Sequence, residues 1–165
     1  MNMKKVFASG FCIFITFLSF GQDMLNINKA KPSFTILFIC EHGAARSTIA
    51  TAYFNKLAQQ QGLNYRAIFR GTNADSIIGL VAQKGLMKDG FDVLGWKPTS
   101  VTKHDIENAY QIVTLDCLLP EKDSITKPII QWKGIPAISK DYNIARDSIV
   151  KKVQALVAEL SLKSN

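Results

Sequence analysis

The sequence predicts a single α/β domain in which helices cover both faces of a parallel sheet. Short apolar runs alternate along the chain with longer segments of helical periodicity, the pattern of strand–helix–strand units. The chain has 165 residues, 47% of them apolar and 20% charged, which suits one globular domain and excludes a disordered chain or a membrane bundle. The net charge of +7 is scattered rather than clustered, so nucleic acid is not an expected partner.

The N-terminal segment has the pattern of a secretory signal. Lys4 and Lys5 form a basic start, and the run over residues 6–20 is apolar and uncharged. Small residues at Ser19 and Gly21 stand at the two positions that a signal peptidase reads. The run of about 15 residues is shorter than the roughly twenty that a membrane helix needs, although a short uncleaved anchor is the alternative. We predict a signal peptide over residues 1–21, a periplasmic or secreted location, and a mature domain over residues 22–165 that does not bind the membrane.

Strands are predicted at the apolar runs of the mature chain. Residues 33–40 (SFTILFIC) form a near-continuous apolar run, which is typical of a strand buried on both faces of a parallel sheet. Residues 65–69 and 109–115 are the second and third strands. Residues 128–132 are a candidate fourth strand.

Helices are predicted between and after these strands. Residues 47–61 place their apolar side chains on one face. Residues 77–88 form a second helix, although Gly79 and Gly85 are unfavourable inside it. Residues 145–162 carry an apolar stripe at helical spacing and form the last helix.

The end of the first strand carries the main candidate site, because ligands of parallel α/β sheets bind beyond the carboxyl ends of the strands. Cys40 ends this strand, and Arg46 and Ser47 open the next helix, which gives the spacing C-x5-R-S. The loop between them can turn its N–H groups inward and, with the helix N-terminus, surround a tetrahedral oxyanion. The predicted phosphate-binding residues are Glu41, His42, Gly43, Ala44, Ala45, Arg46 and Ser47.

Each residue type in this motif has a chemical use. The positive field of the loop favours the thiolate form of Cys40, which is the nucleophilic form. The planar guanidinium of Arg46 can bind two phosphate oxygens at once. Ser47 can donate a hydrogen bond to the sulfur when it becomes the leaving group, and Gly43 can adopt a positive φ without strain. The alternative is a buried cysteine at a strand end beside an unrelated surface arginine.

The segment ILFICEHGAARSTIATAYF resembles the phosphate loop of low-molecular-weight protein tyrosine phosphatases and of the arsenate reductases that share their fold. The loop is closer to the C-V-H-N-A-G-R-S version of the reductases. It matches that version at Cys40, His42, Ala44, Arg46 and Ser47 and departs from it at Glu41, Gly43 and Ala45. Weaker resemblance continues through RGT, IVTLD, WKGIP and ARDSIV, so it covers nearly all of the mature chain. The resemblance implies a four-stranded parallel sheet, a phosphatase-like catalytic domain over residues 22–165, a thiol-phosphate intermediate, and no metal or organic cofactor.

The general acid of this family comes from an Asp-Pro pair late in the chain, and this sequence has Lys-Gly-Ile-Pro-Ala after Trp132 instead. A positioned carboxylic acid speeds the departure of an alkoxide or phenoxide by roughly 10²–10⁴-fold. Asp141 is the predicted acid, with a role at the entry of the last helix as its alternative, and Asp116 is a second candidate. Asp147 lies inside the helical pattern, where we expect it to face solvent or to pair with Lys151.

Cys117 follows the third strand, whose end is expected near the end of the first, and it is the redox candidate. Its alternative role is that of a buried apolar side chain. Reductases of the family that pass a disulfide outward use the nucleophile and two further cysteines, whereas the mature chain has only Cys40 and Cys117. A reductase here would need a small thiol such as glutathione or mycothiol, and an exported protein meets little of either. The chemistry therefore favours a phosphatase, although the loop resembles the reductases.

Two tryptophans and one set of metal-ligating residue types were also considered. Trp96 and Trp132 could line a cleft for an aromatic substrate, but packing is the favoured role. Four side chains are of the types that bind zinc, but their spacing in the sequence matches no usual zinc-site pattern. No metal site is therefore predicted. These side chains are Cys40, His42, His104 and Cys117.

Three functions follow from these residues. The first is hydrolysis of phosphate monoesters, with a phosphorylated protein or a small aryl phosphate as the substrate. The second is reduction of arsenate by the same cysteine with a thiol reductant. The third is binding of an oxyanion without turnover.

Overall fold

The computed structural model describes residues 34–120 and 124–164. Its strands are β1 (Phe34–Cys40), β2 (Tyr65–Gly71), β3 (Ala109–Leu115) and β4 (Ile129–Trp132). Its helices are α1 (Arg46–Gln60), α2 (Leu80–Lys88), α3 (Lys103–Asn108) and α4 (Tyr142–Ser164). The predicted signal peptide and its cleavage site lie outside the described residues.

The strands form one parallel sheet in the order β2-β1-β3-β4, which confirms the predicted fold class. β1 is central and pairs with β2 along its whole length, so that Cys40 lies opposite Gly71. On its other side, Ile39 of β1 lies opposite Thr114 of β3. Because parallel strands end at the same edge of a sheet, Cys40 lies at the carboxyl edge between the ends of β2 and β3.

Helices cover both faces of the sheet, as predicted. Ile36 and Phe38 face α1, α2 and α4 in the larger core cluster. Leu37 and Ile39 face the opposite side, where Ile106 of α3 packs against them. All four of these β1 side chains are buried, which explains why the strand reads as an uninterrupted apolar run. No helix in the described part of the chain is long and apolar enough to cross a membrane.

The second helix is shorter than the prediction of residues 77–88. Gly79 has an extended backbone, with ψ of 131°, and α2 begins only after it. The N–H of Gly79 donates instead to the carbonyl of Ala44 at 2.9 Å, which ties this segment to the loop after β1. Gly85 lies inside α2 because the ring of Tyr142 occupies the space that a Cβ would fill.

The sequence analysis missed α3 altogether. Thr102 and Asp105 form a capping box, in which the Thr102 hydroxyl oxygen accepts the N–H of Asp105 and the Asp105 carboxylate accepts the N–H of Thr102. The T-x-x-D pattern was the available signal, but the helix is one of six residues and has no apolar stripe. The last helix was predicted over residues 145–162 and extends further at both ends.

Candidate active site

The loop between β1 and α1 turns its carbonyl groups outward. The segment that follows β2 donates N–H groups to the carbonyl oxygens of Cys40, Glu41 and His42 at distances of 2.8–3.1 Å. A carbonyl and the N–H of the same trans peptide point in opposite directions, so the N–H groups of the following residues face the inside of the loop. The donors in the outer segment are Thr72, Asn73 and Asp75.

Gly43 makes the tight turn of this loop. Its φ is +62°, in the left-handed region that favours glycine. A Cβ at Gly43 would also lie 2.8 Å from the backbone nitrogen of Gly71, so the end of β2 leaves no space for a side chain. The hydroxyl of Thr48 donates to the Gly43 carbonyl at 2.9 Å and holds the turn against α1. The positive φ that the sequence analysis expected at Gly43 is confirmed.

Cys40 and Ser47 meet at the base of the loop. Cys40 is 4% exposed, and its Sγ lies 3.1 Å from the Oγ of the fully buried Ser47. At this distance the hydroxyl can donate to a thiolate or to a sulfur that leaves a phosphoryl group. The structure therefore brings the predicted nucleophile into contact with the predicted hydroxyl donor.

The start of α1 is arranged as an anion site. The helix has no capping side chain and no acidic residue in its first turn, so no side chain compensates its N-terminal N–H groups. The Nε of Arg46 is buried and has no hydrogen-bond partner among the described residues. Its ion-pair partner is Asp116, with Oδ2 at 3.8 Å. A buried donor without an acceptor is costly, and an oxyanion held in the loop would supply the acceptor.

The rim of the loop carries Glu41 and His42. The Glu41 side chain is 65% exposed, so it points away from the buried sulfur of Cys40. The His42 side chain is 52% exposed, and its Nδ1 lies 3.3 Å from Oδ1 of Asp75. The imidazole of His42 also lies 3.8 Å from Oε2 of Glu41, so its ionic contacts among the described residues are with carboxylates at the rim.

Asp141 has a structural role in the described part of the chain. Its Oδ1 accepts the N–H of Ile144 at 3.0 Å and its carbonyl accepts the N–H of Ala145, so it caps α4. This is the helix-entry role that the sequence left open, and no hydrogen bond or ion pair between described residues joins Asp141 to the loop. Its role as an acid stays a prediction. Asp147 is 68% exposed as expected, but it pairs with Arg146 and not with Lys151.

Cys117 lies close to the nucleophile's strand. Its Sγ donates a weak hydrogen bond to the carbonyl of Ile39 at 3.4 Å, which confirms that the ends of β1 and β3 are neighbours. Burial, and secondarily the proximity of Cys40, raises the pKa of the Cys117 thiol to about 11. Both cysteines are free thiols in this structure.

A cleft of about 270 Å³ opens at the carboxyl ends of β3 and β4. Asp116, Cys117, Trp132 and Lys133 are among its lining residues. Trp132 is only 7% exposed, because its ring packs against that of Phe38 with centroids 5.4 Å apart.

Trp96 is also a packing residue, since its ring stacks on Phe69 at a centroid distance of 5.5 Å. The side chains considered for a zinc site do not form one. Within residues 34–120 and 124–164, no group of three or more His, Cys, Asp or Glu side chains could hold a metal ion.

The sequence analysis missed two parts of the site. The 72–75 segment, which binds the outer side of the loop, gave no signal beyond the resemblance of RGT. Asp116 was considered only as an acid, whereas its carboxylate contacts Arg46 and the segment after β4. Its non-glycine positive φ of 48° could not be anticipated from the sequence.

Comparison with known proteins identifies similar chains. A family model described as low molecular weight phosphotyrosine protein phosphatase matches residues 35–126. Among solved structures, a thioredoxin-dependent arsenate reductase of Corynebacterium glutamicum is 24% identical, with a TM-score of 0.64 over 81% of this chain. This chain covers 65% of that protein, which is less than two thirds of its length.

This chain covers most of the length of two further proteins of known structure. An arsenate reductase from Archaeoglobus fulgidus DSM 4304 is 26% identical, with a TM-score of 0.59 over 74% of this chain and 98% of that one. The YwlE arginine phosphatase from Geobacillus stearothermophilus is 19% identical, with a TM-score of 0.66 over 79% of this chain and 94% of that one. No curated protein matches the chain significantly.

Proposed function

This chain belongs to the low molecular weight phosphotyrosine protein phosphatase family, whose members include phosphatases and arsenate reductases, and we propose that it hydrolyses phosphate monoesters. One observation carries the proposal. The buried sulfur of Cys40 contacts the Ser47 hydroxyl at the base of a loop whose N–H groups face inward and whose Arg46 has an unpartnered buried Nε. This arrangement combines a nucleophile with a binding site for a tetrahedral dianion.

The proposed reaction has two displacement steps. The Cys40 thiolate attacks phosphorus, the S–P bond forms, and the P–O bond to the substrate breaks as the leaving oxygen takes a proton from solvent water. Water then attacks the thiol-phosphate, the S–P bond breaks, and inorganic phosphate and the thiolate are released. Arg46 and the loop N–H groups stabilise the charge on the phosphoryl oxygens in both steps, and Ser47 stabilises the sulfur as it leaves.

The proposed substrates are phosphotyrosine in a protein or a small aryl phosphate. Aryl leaving groups are more acidic than alkyl ones, so their departure depends less on a positioned acid. That matters here because Asp141, the predicted acid, caps α4. The cleft at the carboxyl ends of β3 and β4 has an apolar part at Leu118, which suits the ring of such a substrate.

Arsenate reduction is the second candidate, and a specific observation supports it. Cys117 contacts the strand that ends in Cys40, so a second thiol lies close to the nucleophile. In this reaction Cys40 would displace water from arsenate, and a thiol reductant would attack the sulfur and release arsenite with formation of a disulfide. The reductases that resemble this chain at 24% and 26% identity are consistent with that chemistry.

The deciding experiment measures two products and the binding of inorganic phosphate with the same purified protein. The phosphatase proposal predicts release of p-nitrophenol from p-nitrophenyl phosphate by the reduced protein, and no release by Cys40→Ser. The reductase proposal predicts that arsenite forms from arsenate only when a thiol is added. Binding of inorganic phosphate without either product would contradict both and identify an oxyanion-binding domain.

For its location, we propose that the protein is exported by the segment over residues 1–21 and cleaved after Gly21. The basic start, the uncharged apolar run and the small residues before the predicted cleavage site support this proposal. N-terminal sequencing of the protein from a producing cell tests it. A start at Gln22 is expected, and an intact N-terminus in the membrane fraction would indicate an uncleaved anchor.

A further inference from the structure

Asp116 has an unusual backbone conformation at the end of β3. It is the only non-glycine residue with positive φ among the described residues, at 48°. Aspartate and asparagine tolerate this region better than other side chains, and such residues are often found at functional sites. The N–H of Asp116 donates to the Trp132 carbonyl at 2.9 Å, so the turn follows directly from the last pairing between β3 and β4.

The carboxylate of Asp116 is held by the segment after β4. Oδ1 accepts the N–H of Gly134 at 2.7 Å, and Oδ2 accepts the N–H of Ile135 at 2.9 Å. Ile135 is 5% exposed and belongs to the larger core cluster, so the donors are themselves anchored. Both oxygens therefore have fixed positions.

The same carboxylate faces the arginine of the loop. Oδ2 of Asp116 lies 3.8 Å from Nε of Arg46, which is an ion-pair distance but too long for a hydrogen bond. The carboxylate thus attracts the guanidinium without using its Nε–H. That donor stays available for an oxyanion, and it is the buried atom without a partner among the described residues.

The geometry points to Asp116 as the residue that positions Arg46 for oxyanion binding, and not as the acid that protonates the leaving group. This inference rests on the proposed function. An arginine side chain loses conformational freedom when it binds a ligand, and this loss costs binding free energy. The Asp116 carboxylate, held by the N–H groups of Gly134 and Ile135, restricts Arg46 before the ligand binds and so reduces that cost. Asp116 acts through Arg46, so it is a positioning residue.

The test is a double-mutant cycle on oxyanion affinity, measured by calorimetry with inorganic phosphate and orthovanadate on the full chain. Asp116→Asn removes the charge and keeps a residue that tolerates positive φ. We expect its phosphate Kd to rise about 10-fold, within the range of coupled neighbours. In the Arg46→Lys background the same substitution should change Kd by less than about twofold. In turnover, Asp116→Asn should raise KM more than it lowers kcat.

Two further variants make the test specific. Asp116→Gly adopts the same φ without strain and should repeat the Arg46-dependent loss even if Asp116→Asn folds poorly. Asp147→Asn removes an exposed carboxylate that pairs with Arg146 on α4 and should leave the phosphate Kd unchanged.

Each outcome separates the positioning role from the proposed function. If the unsubstituted protein binds neither phosphate nor orthovanadate, the proposed function is wrong and the inference fails with it. If it binds them and both Asp116 variants bind equally well, only the positioning role is wrong. An equal loss of affinity in the unsubstituted background and in the Arg46→Lys background would show that Asp116 supports the fold rather than Arg46, and would also overturn the inference.

Discussion

The sulfur of Cys40 lies 3.1 Å from the hydroxyl oxygen of Ser47, so the first and last residues of the loop are in contact. Both side chains are buried, and a hydrogen bond in such surroundings is stronger than the same bond in water. In the proposed mechanism the sulfur is first the attacking atom and then the leaving group. Ser47 is in position to act on both steps.

Ser47→Ala should therefore slow turnover. Removal of one donor that stabilises developing charge costs about 10²-fold in kcat, and we expect a loss of that order. Rapid-mixing kinetics with p-nitrophenyl phosphate should show a burst, because breakdown of the thiol-phosphate becomes slower than its formation.

Thr51→Ala is the matched control for Ser47→Ala. Thr51 is also a buried hydroxyl residue on α1, but its Oγ1 has no partner among the described residues. Removal of the Thr51 hydroxyl should leave kcat within about twofold of the value for the unsubstituted protein, since no hydrogen bond is broken. Equal kcat values for Ser47→Ala and the unsubstituted protein would exclude a role of the hydroxyl on sulfur.

Cys40→Ser should separate binding from chemistry. A serine hydroxyl in the same loop stays protonated at neutral pH, so turnover should be abolished. The loop N–H groups and Arg46 are unchanged, so calorimetry should still detect phosphate binding. Substantial phosphatase activity in this variant would be incompatible with a cysteinyl-phosphate intermediate.

A second cluster of polar side chains stabilises the fold away from the loop. The carboxylate of Asp89, at the end of α2, accepts hydrogen bonds from Tyr53 at 2.8 Å and Tyr142 at 2.6 Å. Arg146 pairs with it at 3.0 Å, and the Asp89 side chain is 16% exposed. Burial alone would raise the pKa of Asp89, but the hydrogen bonds from the tyrosines and Arg146 outweigh it, so the pKa lies below its ordinary value.

Asp89→Asn should lower the free energy of unfolding at neutral pH by about 2–4 kcal/mol, because it removes the carboxylate that pairs with Arg146 and leaves a phenol without its acceptor. Arg146 keeps its second partner, Asp147. The stabilisation by Asp89 is complete above its unfolded pKa of about 3.9 and is lost as the pH falls through the lower folded pKa. Denaturant unfolding at several pH values checks this. The difference between the two proteins should shrink below pH of about 4, whereas a constant difference would mean that the charge of Asp89 is not responsible.

The position of Cys117 near Cys40 predicts that the two form a disulfide on oxidation. Peroxide oxidises a reactive cysteine, such as the proposed nucleophile Cys40, to a sulfenic acid, and the Cys117 thiol can then displace water and form a disulfide. The protein isolated under oxidising conditions should be inactive and recover with dithiothreitol, while Cys117→Ser should lose activity irreversibly. Since the pKa of Cys117 is raised to about 11, disulfide formation should accelerate as the pH rises toward that value.

Thiol counting by mass spectrometry before and after reduction checks this redox prediction. Overoxidation of Cys40 alone would show that Cys117 is an inert buried side chain. Two free thiols with full activity in the oxidised preparation would contradict the disulfide and the exposure of the protein to an oxidising compartment.

The strand assignments were predictable because burial on both faces leaves a plain signal. β1 and β3 have apolar side chains on both sides of the sheet, so β1 is a near-continuous apolar run and β3 is rich in apolar residues. The start of α2 was not predictable in the same way. Gly79 is extended because its N–H bonds to Ala44, a contact between residues far apart in the sequence.

The site was predictable where its chemistry is local. Cys40, Gly43 and Ser47 belong to one loop, and the spacing alone indicated how they meet. The position of Asp116 depends on pairing between β3 and β4, and no local pattern encodes that pairing. The observed role of Asp141 is local, because its carboxylate caps α4 three residues away, and the sequence offered this role as the alternative to the acid.

The most direct test of the central claim is to trap the intermediate. The reduced protein is mixed with p-nitrophenyl phosphate, quenched within the first turnovers, digested, and examined by mass spectrometry for a phosphoryl group on the peptide that contains Cys40. The proposed mechanism predicts phosphorylated Cys40, more of it in Ser47→Ala, and none in Cys40→Ser. Steady release of p-nitrophenol with no phosphoryl group on Cys40 in any of these samples would contradict it.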